Sequence, residues 1–168
     1  MARRLFALVR TLIVAPAFIS LWTYFVPLWI IGRTAFGAPR PLGWIVVAIG
    51  AGISLPCVWE FAWRGLGTPA PFDPPRRLVI SGPYRFVRNP MYVGMGIALI
   101  GEALVFPNVT WLMLAMVVSL WAVLSVFIIE YEEPSLRRMF GAEYEAYFRE
   151  VHRWIPRLRP WYSQPHLE

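Results

Sequence analysis

Two polar segments of a largely apolar chain carry the residue types that could do chemistry. The first is SGPYRFVRNPMYVGMG at 81–96, where Arg85 and Arg88 come just before Asn89 and Pro90. Asparagine is favoured at the N-cap of a helix and proline at its first position, so a helix should begin here. The N–H groups and positive dipole end of a helix start attract anions. This first motif therefore predicts a site for a carboxylate or phosphate.

The glycines that follow the helix start allow two interpretations. Gly94 and Gly96 have no side chain, so a ligand or another helix could approach their backbone closely. In the alternative, Gly94 and Ala98 form a small-residue face for helix packing. The arginines of the motif would then be cationic anchors at the membrane surface. Spacing alone leaves both interpretations open.

An acidic pair marks the second motif, which covers 130–147. Glu132 and Glu133 come directly after a long apolar stretch. Carboxylates at the end of a helix can bind a ribose diol or an ammonium group through charge-assisted hydrogen bonds. The alternative is a solvated turn in which the two glutamates pair with Arg137 and Arg138. The pair alone does not decide between them.

The composition indicates a membrane protein. Hydrophobic residues make up 58% of the 168 residues and charged residues only 15%, against about 45–50% and about 25% in soluble domains. The 16 basic residues are all arginine and give a net charge of +6. Because they flank apolar segments, they fit an anionic membrane surface better than nucleic acid. The single cysteine excludes an internal disulfide, and no metal-ligand spacing occurs.

Four apolar segments predict an all-α integral membrane protein, a single membrane-embedded domain over 1–168. The predicted transmembrane helices cover about 11–31, 41–63, 91–106 and 109–130. Hydrophobic residues then recur at helical spacing, which predicts a C-terminal amphipathic helix on the cytoplasmic surface. Arginines cluster before the first span, between the second and third, and after the fourth. This distribution predicts that both termini and both motifs face the cytoplasm.

Taken together, the two motifs resemble the isoprenylcysteine carboxyl methyltransferase and phospholipid methyltransferase superfamily of integral membrane enzymes. The resemblance lies in SGPYRFVRNPMYVG, then GEALVF, then EYEEPSLRRMFGAEYEAYFREVHRWIP, and covers about Leu78 to Pro156. Each block alone is a modest pattern. Both blocks in order, joined by a helical hairpin of the right length, are much harder to obtain by chance.

The resemblance implies S-adenosyl-L-methionine as the cofactor. Nine residues are implied to build the cofactor pocket: Tyr84, Arg88, Asn89, Pro90, Tyr92, Gly94, Gly96, Glu132 and Glu133. Four are implied to take part in catalysis: Tyr92, Glu132, Glu133 and Arg137. Many carboxyl methyltransferases of this group carry histidine where this chain has Asn89. The resemblance therefore implies the cofactor more specifically than the methyl acceptor.

The expected function is methyl transfer to a lipophilic acceptor at the cytoplasmic face of a bacterial inner membrane. The acceptor would be an isoprenylcysteine-like carboxylate or a lipid amine, and the oligomeric state stays open. The alternative is a non-catalytic transporter subunit or assembly factor. A transporter subunit would need a line of polar residues across the bilayer, whereas the polar residues here cluster on one face.

Overall fold

The computed structural model describes residues 17, 21, 25–32, 38–61 and 77–162. These residues are helical or irregular, and no strand occurs among them. The first predicted span lies mostly outside the described residues, as do the arginines that precede it and residues 62–76 of the loop before the first motif. Helix α1 covers Val26–Ile31, within that predicted span.

Four longer helices follow α1. Helix α2 covers Pro41–Glu60, α3 covers Pro90–Val105, α4 covers Thr110–Phe127 and α5 covers Glu133–Glu150. In the part of the chain that the structure describes, two helical runs are long and apolar enough to cross a membrane, namely α2 and the run Pro107–Glu150 that contains α4. Helix α3 has 16 residues and is shorter.

The outer faces of α2 and α4 are apolar. Trp44 and Leu55 on α2 and Val118 on α4 are exposed, and Trp111 on α4 is 84% exposed. In water, each square ångström of such surface would cost about 25 cal/mol. Lipid is the solvent in which this surface is stable, so the chain is an integral membrane protein.

Glycine allows α2 and α3 to pack backbone against backbone. A Cβ added at Gly50 would collide with the main chain of Ala98, and one at Gly94 would collide with Ser54. The Ser54 hydroxyl also donates to the carbonyl of Met91 at 3.3 Å. Small residues at such crossings are the usual solution inside a membrane, where close van der Waals contact replaces the hydrophobic drive. The contact fixes the start of α3 relative to α2.

Helices α3 and α4 form the tight hairpin that the sequence predicts. One 3₁₀ turn, Pro107–Val109, joins them. The Thr110 hydroxyl donates to the Ala103 carbonyl at 2.8 Å and so closes the end of α3. The hairpin returns the chain toward the start of α3.

Helix α4 continues into α5 through a π-helical turn, Ile128–Glu132. The sequence pattern predicts two separate helices here, but the helical run is continuous, and Pro134 lies directly after the π-helical turn in the first turn of α5. Helix α5 is kinked at Gly141, whose φ of +51° favours glycine. Its two buried tyrosines, Tyr144 and Tyr147, pack on residues ahead of the first motif. Its location at the membrane surface stays a prediction.

We predict that Gly50→Ala destabilises the protein, whereas Gly52→Ala does not. The new methyl group at position 50 meets the α3 backbone, which is not free to move aside, while nothing lies within 4 Å of a Cβ at Gly52. Overpacking of this kind costs about 1–3 kcal/mol. Thermal unfolding in detergent should show a lower midpoint for Gly50→Ala alone. Equal midpoints for the two variants would contradict the packing described for α2 and α3.

Candidate functional site

A cavity of about 320 Å³ lies between the first motif and the start of α5. Its volume is at the lower end of the range of about 300–1,000 Å³ for small-molecule sites. Its polar lining residues include Tyr84, Arg88, Asn89, Tyr92, Glu132, Glu133, Tyr144 and Tyr147. Its apolar lining residues include Leu78, Met91, Phe127, Ile128, Leu136 and Met139. The cavity therefore combines charged groups with an apolar surface.

The first motif begins with a short 3₁₀ helix, Gly82–Arg85, held from both sides. The Ser81 hydroxyl donates to a carboxylate oxygen of Glu60 at the end of α2. On the other side, the buried hydroxyl of Tyr147 donates to the carbonyl of Tyr84 at 2.7 Å. Burial raises the pKa of Tyr147, which keeps this hydroxyl protonated and able to donate. Helices α2 and α5 thus both position the motif.

Helix α3 begins as predicted, with Asn89 at the N-cap and Pro90 in the first turn. The Asn89 side chain, however, makes no capping hydrogen bond. Its Nδ2 instead donates to the carbonyl of Arg153 at 3.4 Å. Asn89 therefore connects the helix start to the segment that follows α5.

Glu133 is buried, with 5% of its surface exposed, and both of its oxygens are engaged. Arg153 donates from Nε to Oε1 at 2.7 Å and from Nη2 to Oε2 at 2.8 Å. Nη1 of Arg88 lies 3.3 Å from Oε1. A buried carboxylate is tolerated only with such partners. Glu133 anchors two arginines and is not a free acceptor for a ligand.

The side chain of Arg88 is buried, but not all of its N–H groups have a hydrogen-bond partner among the described residues. Its side chain is 9% exposed, and its guanidinium lies 4.0 Å from the centre of the Phe148 ring. Its Nε is buried and has no hydrogen-bond partner within the described ranges. An unpaired buried donor on a permanently charged group is costly. Since Arg88 lines the cavity, the residue fits an anionic ligand group there.

Glu132 differs from its neighbour because it faces a tyrosine instead of an arginine. The Tyr92 hydroxyl donates to Oε2 of Glu132 at 3.3 Å. Glu132 lies beyond the apolar part of α4, and burial raises its pKa to about 7, with a further contribution from the Glu133 carboxylate and opposition from the Tyr92 hydrogen bond. At neutral pH this carboxyl group can therefore either hold a cation or accept a proton.

The remaining predicted site residues lie away from the cavity. Gly94 faces α2 and Gly96 faces Trp121 of α4, so their positions support the packing interpretation. Pro90 starts α3 but does not line the cavity. Arg137 is partly exposed and pairs with Glu145 at 2.7 Å within α5. The other predicted residues all line the cavity together.

Sequence reasoning missed Arg153, which lies in the segment 151–162 after α5. The main chain of this segment pairs with the first motif: Arg88 N–H donates to the His152 carbonyl at 2.9 Å, and Arg157 N–H donates to the Phe86 carbonyl at 2.8 Å. No local pattern marks Arg153, one of 16 arginines. Its role depends on the fold.

Comparison with known families gives a match over more than half of the chain. A model described as phospholipid methyltransferase matches residues 40–143 of the chain. The matched range begins next to α2 and ends within α5, so it contains Arg88, Glu132 and Glu133. It stops before Tyr144, Tyr147 and Arg153.

Curated relatives match a shorter stretch. Two rice proteins, from Oryza sativa subsp. indica and subsp. japonica, each bear the name "Probable protein-S-isoprenylcysteine O-methyltransferase" and are 35% identical to the chain over 85 residues. The alignment covers 51% of this chain and 44% of each relative, so the chain spans less than half the length of these proteins. No solved structure matches the chain.

We predict that Glu132→Gln stabilises the protein relative to wild type as the pH rises. The pKa of Glu132 rises from an ordinary 4.5 to about 7 on folding, so the folded state binds this proton more tightly than the unfolded state. Stability is then lost between about pH 4.5 and pH 7 as the buried carboxyl ionises. Unfolding midpoints of the two proteins should diverge across this window and stay apart above it.

The exposed Glu143 of α5 provides the matched control. Glu143→Gln removes a carboxyl from the helix that follows Glu132 without changing the cavity lining. A constant difference between wild type and Glu132→Gln at every pH would refute the assignment of a raised pKa to Glu132.

Proposed function

The chain belongs to the phospholipid methyltransferase family, and from this membership and the cavity we propose that it transfers a methyl group from S-adenosyl-L-methionine to a lipophilic acceptor. The observation that carries the proposal is the unpaired Nε of Arg88, buried in the wall of a cavity that also contains the Tyr92–Glu132 pair. This arrangement offers both a cationic and an acidic group to one ligand. We further propose that the whole chain forms one membrane domain.

The groups of the cofactor match the groups of the cavity. Its carboxylate would accept a charge-assisted hydrogen bond from Nε of Arg88. Its ammonium or ribose diol would pair with Glu132, whose second oxygen is not used by Tyr92. The sulfonium supplies an activated methyl group when the cofactor is bound. The protein's own task is therefore orientation and the exclusion of water.

Several residues perform that task. Tyr84, Tyr144 and Tyr147 are buried in the cavity wall and limit the space available to water. Glu132 is the group placed to take a proton, because its pKa of about 7 allows it to be ionised and still basic near neutral pH. A lipid amine must lose a proton before it attacks. An acceptor carboxylate needs no base.

The acceptor would enter from the lipid. Tyr131 and Met139 line the cavity and are 54% and 45% exposed, so they mark its mouth. They follow the lipid-facing surface of α4, and Phe127 extends this apolar lining inward along the chain. A hydrophobic chain could therefore reach the cavity without crossing water.

We assign the cavity to the cytoplasmic face of a bacterial inner membrane, with both termini cytoplasmic. The assignment rests on arginine: Arg77, Arg85 and Arg88 precede α3 and many more follow α4, whereas Arg40 precedes α2 on the opposite side. The family match favours methyl transfer over the transporter subunit or assembly factor that the sequence alone left open.

We predict that Arg88→Ala weakens binding of S-adenosylhomocysteine by about 10- to 100-fold, the value of a hydrogen bond to a charged group. Arg149→Ala, at an exposed arginine of α5, should leave the affinity unchanged. Isothermal titration of the detergent-purified chain measures both. A folded wild-type protein that binds no S-adenosylhomocysteine would refute the proposed function, and equal affinities of the two variants would refute the role of Arg88.

We predict that Met139→Glu lowers methyl transfer into lipid at least tenfold while S-adenosylhomocysteine binds within about twofold of wild type. A charge at the mouth must lose its hydration when an apolar chain enters, which costs several kcal/mol. Met139→Leu keeps the apolar surface and is the control. Transfer of tritiated methyl groups into lipid extracts, followed by mass spectrometry, measures the rate and identifies the acceptor. Equal loss of cofactor binding would place Met139 in the cofactor site instead.

A further inference from the structure

Two arginines share one buried carboxylate in the wall of the cavity. Glu133 has two oxygens, and Arg153 takes both in a bidentate pair at 2.7 and 2.8 Å. Arg88 approaches one of the same oxygens at 3.3 Å, without hydrogen-bond geometry at Nη1. The carboxylate is thus committed to Arg153, and Arg88 is held near it by charge alone.

Because Glu133 is already paired with Arg153, the guanidinium of Arg88, a residue that lines the cavity, has no bidentate partner. A guanidinium pairs best with a carboxylate through two parallel N–H···O bonds. If Arg153 were absent, Glu133 would be a buried carboxylate with Arg88 as its nearest cation, and the bidentate pair would form between those two. The Nε of Arg88, which now has no partner among the described residues, would turn to Glu133 and away from a ligand.

The backbone around Arg153 is fixed by the first motif itself. Asn89 donates to the Arg153 carbonyl at 3.4 Å, and Arg88 N–H donates to the carbonyl of His152. The next residue, Trp154, packs against Trp121 of α4 with ring centres 4.5 Å apart. The backbone position from which Arg153 reaches Glu133 is therefore fixed relative to the start of α3.

We propose that Arg153 is a positioning residue: it occupies Glu133, so that Arg88 keeps its Nε available for the carboxylate of the cofactor. This inference rests on the proposed function and deepens it, because it assigns a role to a residue that lies beyond the range 40–143 matched by the family model. It also explains why a cavity that binds an anion has a glutamate beside its arginine.

The test compares two ligands that differ only in the group Arg88 would bind. S-adenosylhomocysteine and its decarboxylated analogue are titrated into the detergent-purified full chain, and the ratio of their Kd values measures the contribution of the carboxylate. Wild type should prefer the carboxylate-bearing ligand by about tenfold or more. Arg153→Gln should reduce that ratio to below about threefold and change the Kd of the decarboxylated analogue by less than about twofold.

A second background separates positioning from general support of the fold. In Arg88→Ala the carboxylate contribution is already lost, so adding Arg153→Gln should leave the ratio unchanged. Arg153→Lys, which can pair with only one oxygen at a time, should give an intermediate ratio. Arg149→Gln is the control for loss of one positive charge from the same part of the chain.

Each other outcome overturns the inference. Equal loss of affinity for both ligands in Arg153→Gln would mean that Arg153 only supports the fold, and an unchanged ratio would mean that Arg88 does not depend on it. If Arg153→Gln fails to elute as folded protein in size-exclusion chromatography, Arg153→Lys decides, and a wild-type ratio in that variant overturns the inference. If wild type binds neither ligand, the proposed function itself fails.

Discussion

The buried carboxylate of Glu133 is the interaction on which the cavity depends. It joins the start of α5, to which it belongs, with Arg88 before α3 and with Arg153 after α5. Removing an ion from water costs several kcal/mol, and that cost is recovered only when well-placed partners satisfy it. The charge of Glu133 is therefore satisfied only when all three segments are in their native positions. Because Glu133, Arg88 and Arg153 belong to different segments, the cavity wall forms only once the fold is complete.

The membrane imposes the second constraint. Between α2 and α3 there is no hydrophobic drive of the kind that operates in water, so the helices associate by close contact at glycine. Gly50 and Gly94 bring the two backbones together and leave no room for a ligand on that face. The cavity forms instead at the start of α3 and against the π-helical turn Ile128–Glu132, where backbone geometry departs from a regular helix.

Local signals in the sequence predict much of this structure. Asn89 and Pro90 mark the start of α3, and Pro107 marks the hairpin, because capping and proline preferences act within a few residues. The meeting of the two motifs at one cavity follows from the resemblance and from the length of the hairpin. The different environments of Glu132 and Glu133 could not be predicted. Adjacent residues in a helical run point in different directions, and the π-helical turn sets which of them meets the arginines.

Tertiary contacts also decide what Asn89 does, and this bears on the acceptor. The resemblance described from the sequence makes Asn89 a departure, since many carboxyl methyltransferases of this group carry histidine there. In the fold, the Asn89 amide donates to the carbonyl of Arg153, a bond that the N–H of a neutral histidine could also supply. A residue with this task need not contact the acceptor. In the function we propose, discrimination between a carboxylate and an amine would then depend on Glu132, and selection of the hydrophobic chain on Phe127, Tyr131 and Met139, which line the cavity.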